Sequence, residues 1–108
     1  MKIQNTIDKI IAYAIYVTEP EEIILFGSMA NDTANVYSDV DMLIISDSDK
    51  KECVSKIRNF VFQLSLKTDV LIFSREEFEK QISLPVSFLK AVQKSGKIVY
   101  KKNNKKSQ

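Results

Sequence analysis

The chain has 108 residues, 44% hydrophobic and 28% charged, with a formal net charge of +2, one cysteine and no histidine. Those values describe one soluble globular domain, large enough for a core of its own. The absence of histidine excludes a Ser-His or Cys-His nucleophile, an imidazole base and His-ligated zinc, so any metal must sit on carboxylates, which favours magnesium or manganese.

The chain opens with Ile3, Ile7, Ile10, Ile11, Ala14, Ile15 and Val17. Their helical spacing predicts an amphipathic helix over Asn5–Thr18, with Asn5 or Thr6 as N-cap. Acids and amides interrupt this stretch, so it has no signal-peptide pattern. Pro20 ends the helix. Glu22–Phe26 is apolar on both faces and reads as a central strand.

Gly27-Ser28 ends that strand. Met29–Ala34 suggests a short helix, weakened by Asn31, Asp32 and Asn35, and Val36–Ser38 a connection. Asp39–Ser46 reads as the second strand. Its alternation places Asp39, Asp41, Leu43 and Ile45 on one face, and Val40, Met42 and Ile44 on the other.

Ser46-Asp47-Ser48-Asp49 reads as the cap of a helix over about Asp49–Ser65, rather than as a second metal motif. The buried stripe of that helix is Val54, Ile57, Phe60, Val61 and Leu64. Cys53 falls inside it and reads as packing. As a lone cysteine it forms no internal disulfide, which points to an intracellular, cytoplasmic protein. Thr68–Phe73 is the third strand, with Asp69 at its start. Ser74-Arg75-Glu76-Glu77 is a capping box opening a helix to about Gln81. Pro85–Ser95 reads as a last helix, with Phe88, Leu89 and Val92 inward and Gly96 as its stop. Lys97–Tyr100 is a short edge strand.

The longest apolar runs, Ile23–Phe26 and Met42–Ile45, are far short of a membrane span. Five lysines fall in residues 97–108, which contain no acid, and residues 1–96 carry 11 basic against 14 acidic side chains. The expected organisation is one domain over 1–100 and a basic, flexible tail over 101–108. The favoured reading of such a tail is a solvated chain end, over a weak contact with nucleic acid or an acidic partner. Direct nucleic-acid binding is not expected. Helices intervene between the strands, so the fold class is α/β (α+β), a small β-sheet flanked by helices.

Two of the three main strands carry aspartates at their start. Asp39 and Asp41, two residues apart, leave one face with Cα atoms roughly 6.5–7 Å apart. Asp69 joins them if the second and third strands pair. Three carboxylates at one sheet edge are costly without a cation. Two hard ions roughly 3.5–4 Å apart suit in-line nucleotidyl transfer. Glycine at position 27 admits a close phosphate, and backbone amides with the Ser28 hydroxyl can bond its oxygens. Asp69 is the candidate acceptor of the proton of the attacking hydroxyl. Separately, neither Asp-x-Asp nor Gly-Ser is specific; in this order, on these strands, the combination is.

Gly27-Ser28, ten residues, then Asp39-Val40-Asp41, with Ser38 before the first acid and Asp69 in TDVLIF, resembles the DNA polymerase β nucleotidyltransferase superfamily. The similarity is to its minimal (MNT) members, and the ending REEFEKQI…PVSFLKAVQKSGKIVY extends it over nearly the whole chain. The resemblance implies two Mg2+ or Mn2+ ions on Asp39, Asp41 and Asp69, and phosphate contacts at Gly27, Ser28 and Ser38. It also implies the nucleotidyltransferase fold, with a small mixed β-sheet, and AMP transfer from ATP. Minimal members pair with a helical HEPN-family protein, in characterised cases an RNase toxin that the MNT antitoxin adenylylates on tyrosine. A domain this small has little chain left for a second-substrate pocket, which suits a macromolecular acceptor and a hetero- or homo-oligomer. Met29-Ala30-Asn31-Asp32 departs from the family's Ala-Arg-Gly-like stretch. That leaves an alternative: a weakly catalytic binding module that neutralises a helical partner by contact. A drug-modifying transferase is disfavoured, because the chain lacks the second helical domain of those enzymes.

Overall fold

The computed structural model describes residues 3–26, 40–64 and 68–102. Sixteen residues, Ile3–Thr18, form α1, which buries Ile7, Ile10 and Ala14. The helix stops where Glu19 turns to a φ of +46°, with its N–H still donating to Ile15 O, and Pro20 follows. A left-handed residue is a common way to close a helix, and proline prevents its continuation.

The strands are β1 (Glu22–Phe26), β2 (Val40–Ile45), β3 (Thr68–Phe73) and β4 (Lys97–Lys101). They form one sheet in the order β3-β2-β1-β4. β1 is antiparallel to both its neighbours, and β2 is parallel to β3. A slip in register between Ile23 and Ile24 places Val99 as an extra residue on β4. The inner strand β2 has Met42, Leu43, Ile44 and Ile45 wholly buried. This run is apolar on both faces because helices cover both.

On one face, α1 and α2 (Lys50–Gln63) enclose Ile23, Leu25, Met42, Ile44, Val70 and Ile72. Tyr13 of α1 stacks on Phe60 of α2, with centroids 4.4 Å apart. On the other face, α3 (Arg75–Ile82) and α4 (Phe88–Ser95) supply Phe78, Leu89 and Val92 to a second core with Ile24, Leu43 and Ile45. Burying each such side chain contributes about 1.5–3 kcal/mol.

The expected caps of α2 and α3 are present, but α1 already runs from Ile3, so Asn5 and Thr6 lie inside it rather than at its N-cap. Asp49 Oδ1 accepts from Glu52 N–H at 2.9 Å and starts α2. Ser74 and Glu77 make the reciprocal capping box of α3. The last helix differs from expectation. It starts at Phe88 rather than Pro85, because Ser87 Oγ accepts from Lys90 N–H and takes the N-cap position. Leu89 and Val92 point inward as expected, but Phe88 does not; it is 60% exposed. Gly96 does end α4, in extended rather than left-handed backbone (φ −75°). Space is what requires glycine there: a Cβ would lie 2.5 Å from Ile24 Cγ2 and 2.5 Å from Val92 O.

The sheet continues slightly past the expected end of the domain. Lys101 belongs to β4, and Lys102 N–H donates to Glu21 O at 2.8 Å. Residues 103–108 lie outside the described residues, as do the short helix and connection expected between Met29 and Ser38.

Candidate active site

Three strands meet at the end of the sheet where β1 finishes and β2 and β3 begin. In the β1–β2 register, Phe26 pairs with Asp41; in the β2–β3 register, Asp41 pairs with Asp69. Alternation fixes their direction. Leu43 and Ile45 belong to the core beneath α3 and α4, so Asp41, two residues earlier, leaves the same face. Leu71 and Phe73 place Asp69 on that face, and Phe26 packs against the same core. Neighbouring strands run about 4.8 Å apart, so the two carboxylates stand side by side. Asp41 is half-buried and Asp69 exposed.

The expected pairing of the second and third strands is therefore found, and it brings Asp69 beside Asp41. Gly27, Ser28, Ser38 and Asp39 lie outside the described residues. In the chain they directly follow β1 and directly precede β2, the two strands that flank the Phe26–Asp41 pair.

The donor set can be tested against a metal. Two facing carboxylates on adjacent strands offer hard oxygen ligands only, which fits magnesium or manganese. Among the described residues no group of three ligating side chains occurs, so the facing pair Asp41 and Asp69 is the donor set on offer there, with Asp39 outside the described residues. Cys53 is not part of it. The thiol is buried on the opposite face, burial and the nearby Glu52 and Asp49 carboxylates push its pKa up, and it lies 3.8 Å from Val17 O.

Other polar clusters are structural. At the opposite end of the sheet, Arg75 bonds Glu21 at 2.9 Å and Glu22 at 3.1 Å, tying α3 to the start of β1. Desolvation would lower the Arg75 pKa, but its bonds to Glu21 and Glu22 outweigh it and raise it. Thr18 O accepts from Ser46 Oγ at 2.6 Å and Ser48 Oγ at 2.8 Å, joining the end of α1 to the β2–α2 connection. A recess of about 470 Å³ runs along α2 beside Lys50, Lys51, Val54, Ser55, Arg58 and Asn59, residues of the helix that covers the face opposite the acids.

A family model described as "Nucleotidyltransferase domain" matches residues 14–104. This chain belongs to the nucleotidyltransferase domain family. The matched span takes in β1, the Gly27-Ser28 and Asp39-Val40-Asp41 motifs, and Asp69. This nucleotidyltransferase is also similar to a Methanocaldococcus jannaschii protein named "Putative protein adenylyltransferase MJ0604". The two are 30% identical over 80 residues, 74% of this chain and 78% of the relative. Among the described residues, no helix is long and apolar enough to cross a membrane.

One feature of the site escapes a sequence reading. Phe26 does more than end β1: its ring meets Phe88 edge-on, with centroids 5.6 Å apart and planes at 80°. The apolar pattern of α4 suggests that Phe88 points inward; in the structure it is 60% exposed and leans on Phe26, the strand partner of Asp41.

Proposed function

We propose that this nucleotidyltransferase moves AMP from ATP to a hydroxyl of a protein partner, a helical HEPN-family toxin for which it is the antitoxin. The register pairing of Asp41 with Asp69 carries the reading. The adenylyltransferase name of the M. jannaschii relative and the resemblance to minimal family members support the acceptor and partner.

The attacking hydroxyl oxygen forms a bond to the α-phosphorus of ATP, the bond from that phosphorus to the bridging oxygen breaks, and pyrophosphate leaves. The hydroxyl proton passes to a carboxylate, for which Asp69 is the exposed candidate at the strand end. Magnesium or manganese held by Asp39, Asp41 and Asp69 would supply positive charge against the triphosphate. Gly27, Ser28 and Ser38 would bind phosphate oxygens through backbone amides and hydroxyls. The parallel pairing of two rigid strands keeps the Asp41 and Asp69 carboxylates in place before substrate arrives, which lowers the cost of organising them during reaction.

The test is incubation with the helical partner, labelled ATP and magnesium. Label on the partner that disappears with Asp41→Asn supports the proposal; equal label with the variant overturns it. Protection of cells by Asp41→Asn without any label would instead assign the protein to neutralisation by contact.

A further inference from the structure

Phe88 is the largest side chain of α4, yet 60% of it faces solvent. Val86 is 90% exposed and Leu84 46%, so three apolar side chains at alternate positions crowd one connection. Single exposed apolar residues are ordinary on a protein surface; what sets this group apart is its place. Tyr16 and Phe62 are more exposed than Phe88, but they belong to α1 and α2, the helices of the opposite face. Phe88 instead contacts Phe26, and Phe26 is the strand partner of Asp41. Across the sheet the sequence of side chains is Phe88, Phe26, Asp41, Asp69, all on the face of α3 and α4.

The geometry points to Phe88 as the stacking platform for the nucleobase of the bound nucleoside triphosphate. This rests on the nucleotidyltransferase reading of the acids. If the α-phosphate lies at Asp41 and Asp69, a ribose is all that separates it from the base. One strand spacing beyond Asp41 on the α4 side stands Phe26, and on Phe26 leans an open aromatic ring. The edge-on contact holds the Phe88 ring from one side and leaves much of the rest in water. A base that stacks on it removes apolar surface from water on both partners and gains aromatic contact. A platform of this kind recognises the flat face of a base rather than its hydrogen-bonding edge.

The chain contains no tryptophan, so Phe88→Trp installs a single reporter at the platform. Its emission is expected to be quenched by ATP with magnesium and left unchanged by inorganic tripolyphosphate. In calorimetry, Phe88→Ala is expected to weaken ATP binding about tenfold, the scale of one base–aromatic stack, and to leave tripolyphosphate affinity unchanged. ATP affinity equal to wild type in Phe88→Ala overturns the platform, as does an unquenched Phe88→Trp that binds ATP. So does loss of partner labelling in Phe88→Ala with unchanged ATP affinity, which would make the patch a contact for the acceptor protein. If neither ATP nor tripolyphosphate binds the wild-type protein, the phosphate-binding reading of the acids fails and the platform with it.

Discussion

Asp41 and Asp69 stand opposite each other in the parallel β2–β3 register, on the face of the sheet shared with α3 and α4. They are 28 positions apart in the chain, with a whole helix between them. Their proximity is therefore a property of strand pairing rather than of local sequence.

Asp69 is exposed, so its loss removes little packing, and under the proposed function it removes a carboxylate of the site. Asp69→Asn is expected to lower transfer of label by roughly a hundredfold or more, the scale of deleting one preorganised electrostatic group. Its urea midpoint should shift by no more than about 0.5 kcal/mol of stability. A variant as active as wild type would remove Asp69 from the site.

Gly96 has no room for a side chain. The Cβ of Gly96→Ala would meet Ile24 Cγ2 and Val92 O at 2.5 Å and Leu25 O at 3.1 Å, and two of these atoms are backbone. The substitution is expected to cost about 1–3 kcal/mol by overpacking, read as a lower denaturation midpoint. Stability equal to wild type would mean that α4 moves off β1 freely.

Thr18 O has two hydroxyl donors, Ser46 and Ser48. Either Ser→Ala change alone leaves the carbonyl one partner and is expected to cost about 1 kcal/mol. The double variant leaves it neither donor and should cost more than the sum of the single changes. Simple additivity in a double-mutant cycle would show that the two bonds act independently.

The Glu77 carboxyl is held below its ordinary pKa by its hydrogen bond from Lys50, then by the Ser74 backbone N–H, whose bond is 3.0 Å. A depressed folded value means that the unfolded chain takes up the proton first as acid is added. The stabilisation from Glu77 is complete above the ordinary glutamate pKa of about 4.3 and is lost as pH falls through the lower folded value. The stability difference between wild type and Glu77→Gln should therefore be flat at neutral pH and shrink below that point. A difference that grows on acidification would reverse the sign of this coupling.

The sequence by itself determined what depends on neighbours in the chain. The caps at Asp49 and Ser74 are bonds spanning three residues. The strands at Glu22–Phe26 and Thr68–Phe73 follow from short apolar runs between turn signals, and the spacing of Gly27-Ser28 from Asp39-Val40-Asp41 marked the family. Tertiary structure alone decided the rest. That β2 and β3 are parallel, with Asp41 facing Asp69, depends on packing over both faces of the sheet, where a slip of one residue would send every side chain to the wrong side. The place of Phe88 was equally out of reach. Leu89 and Val92 take the face that meets the sheet, and a helix turns about 100° per residue. Phe88, one position earlier, is thereby rotated from the core into the open beside Phe26.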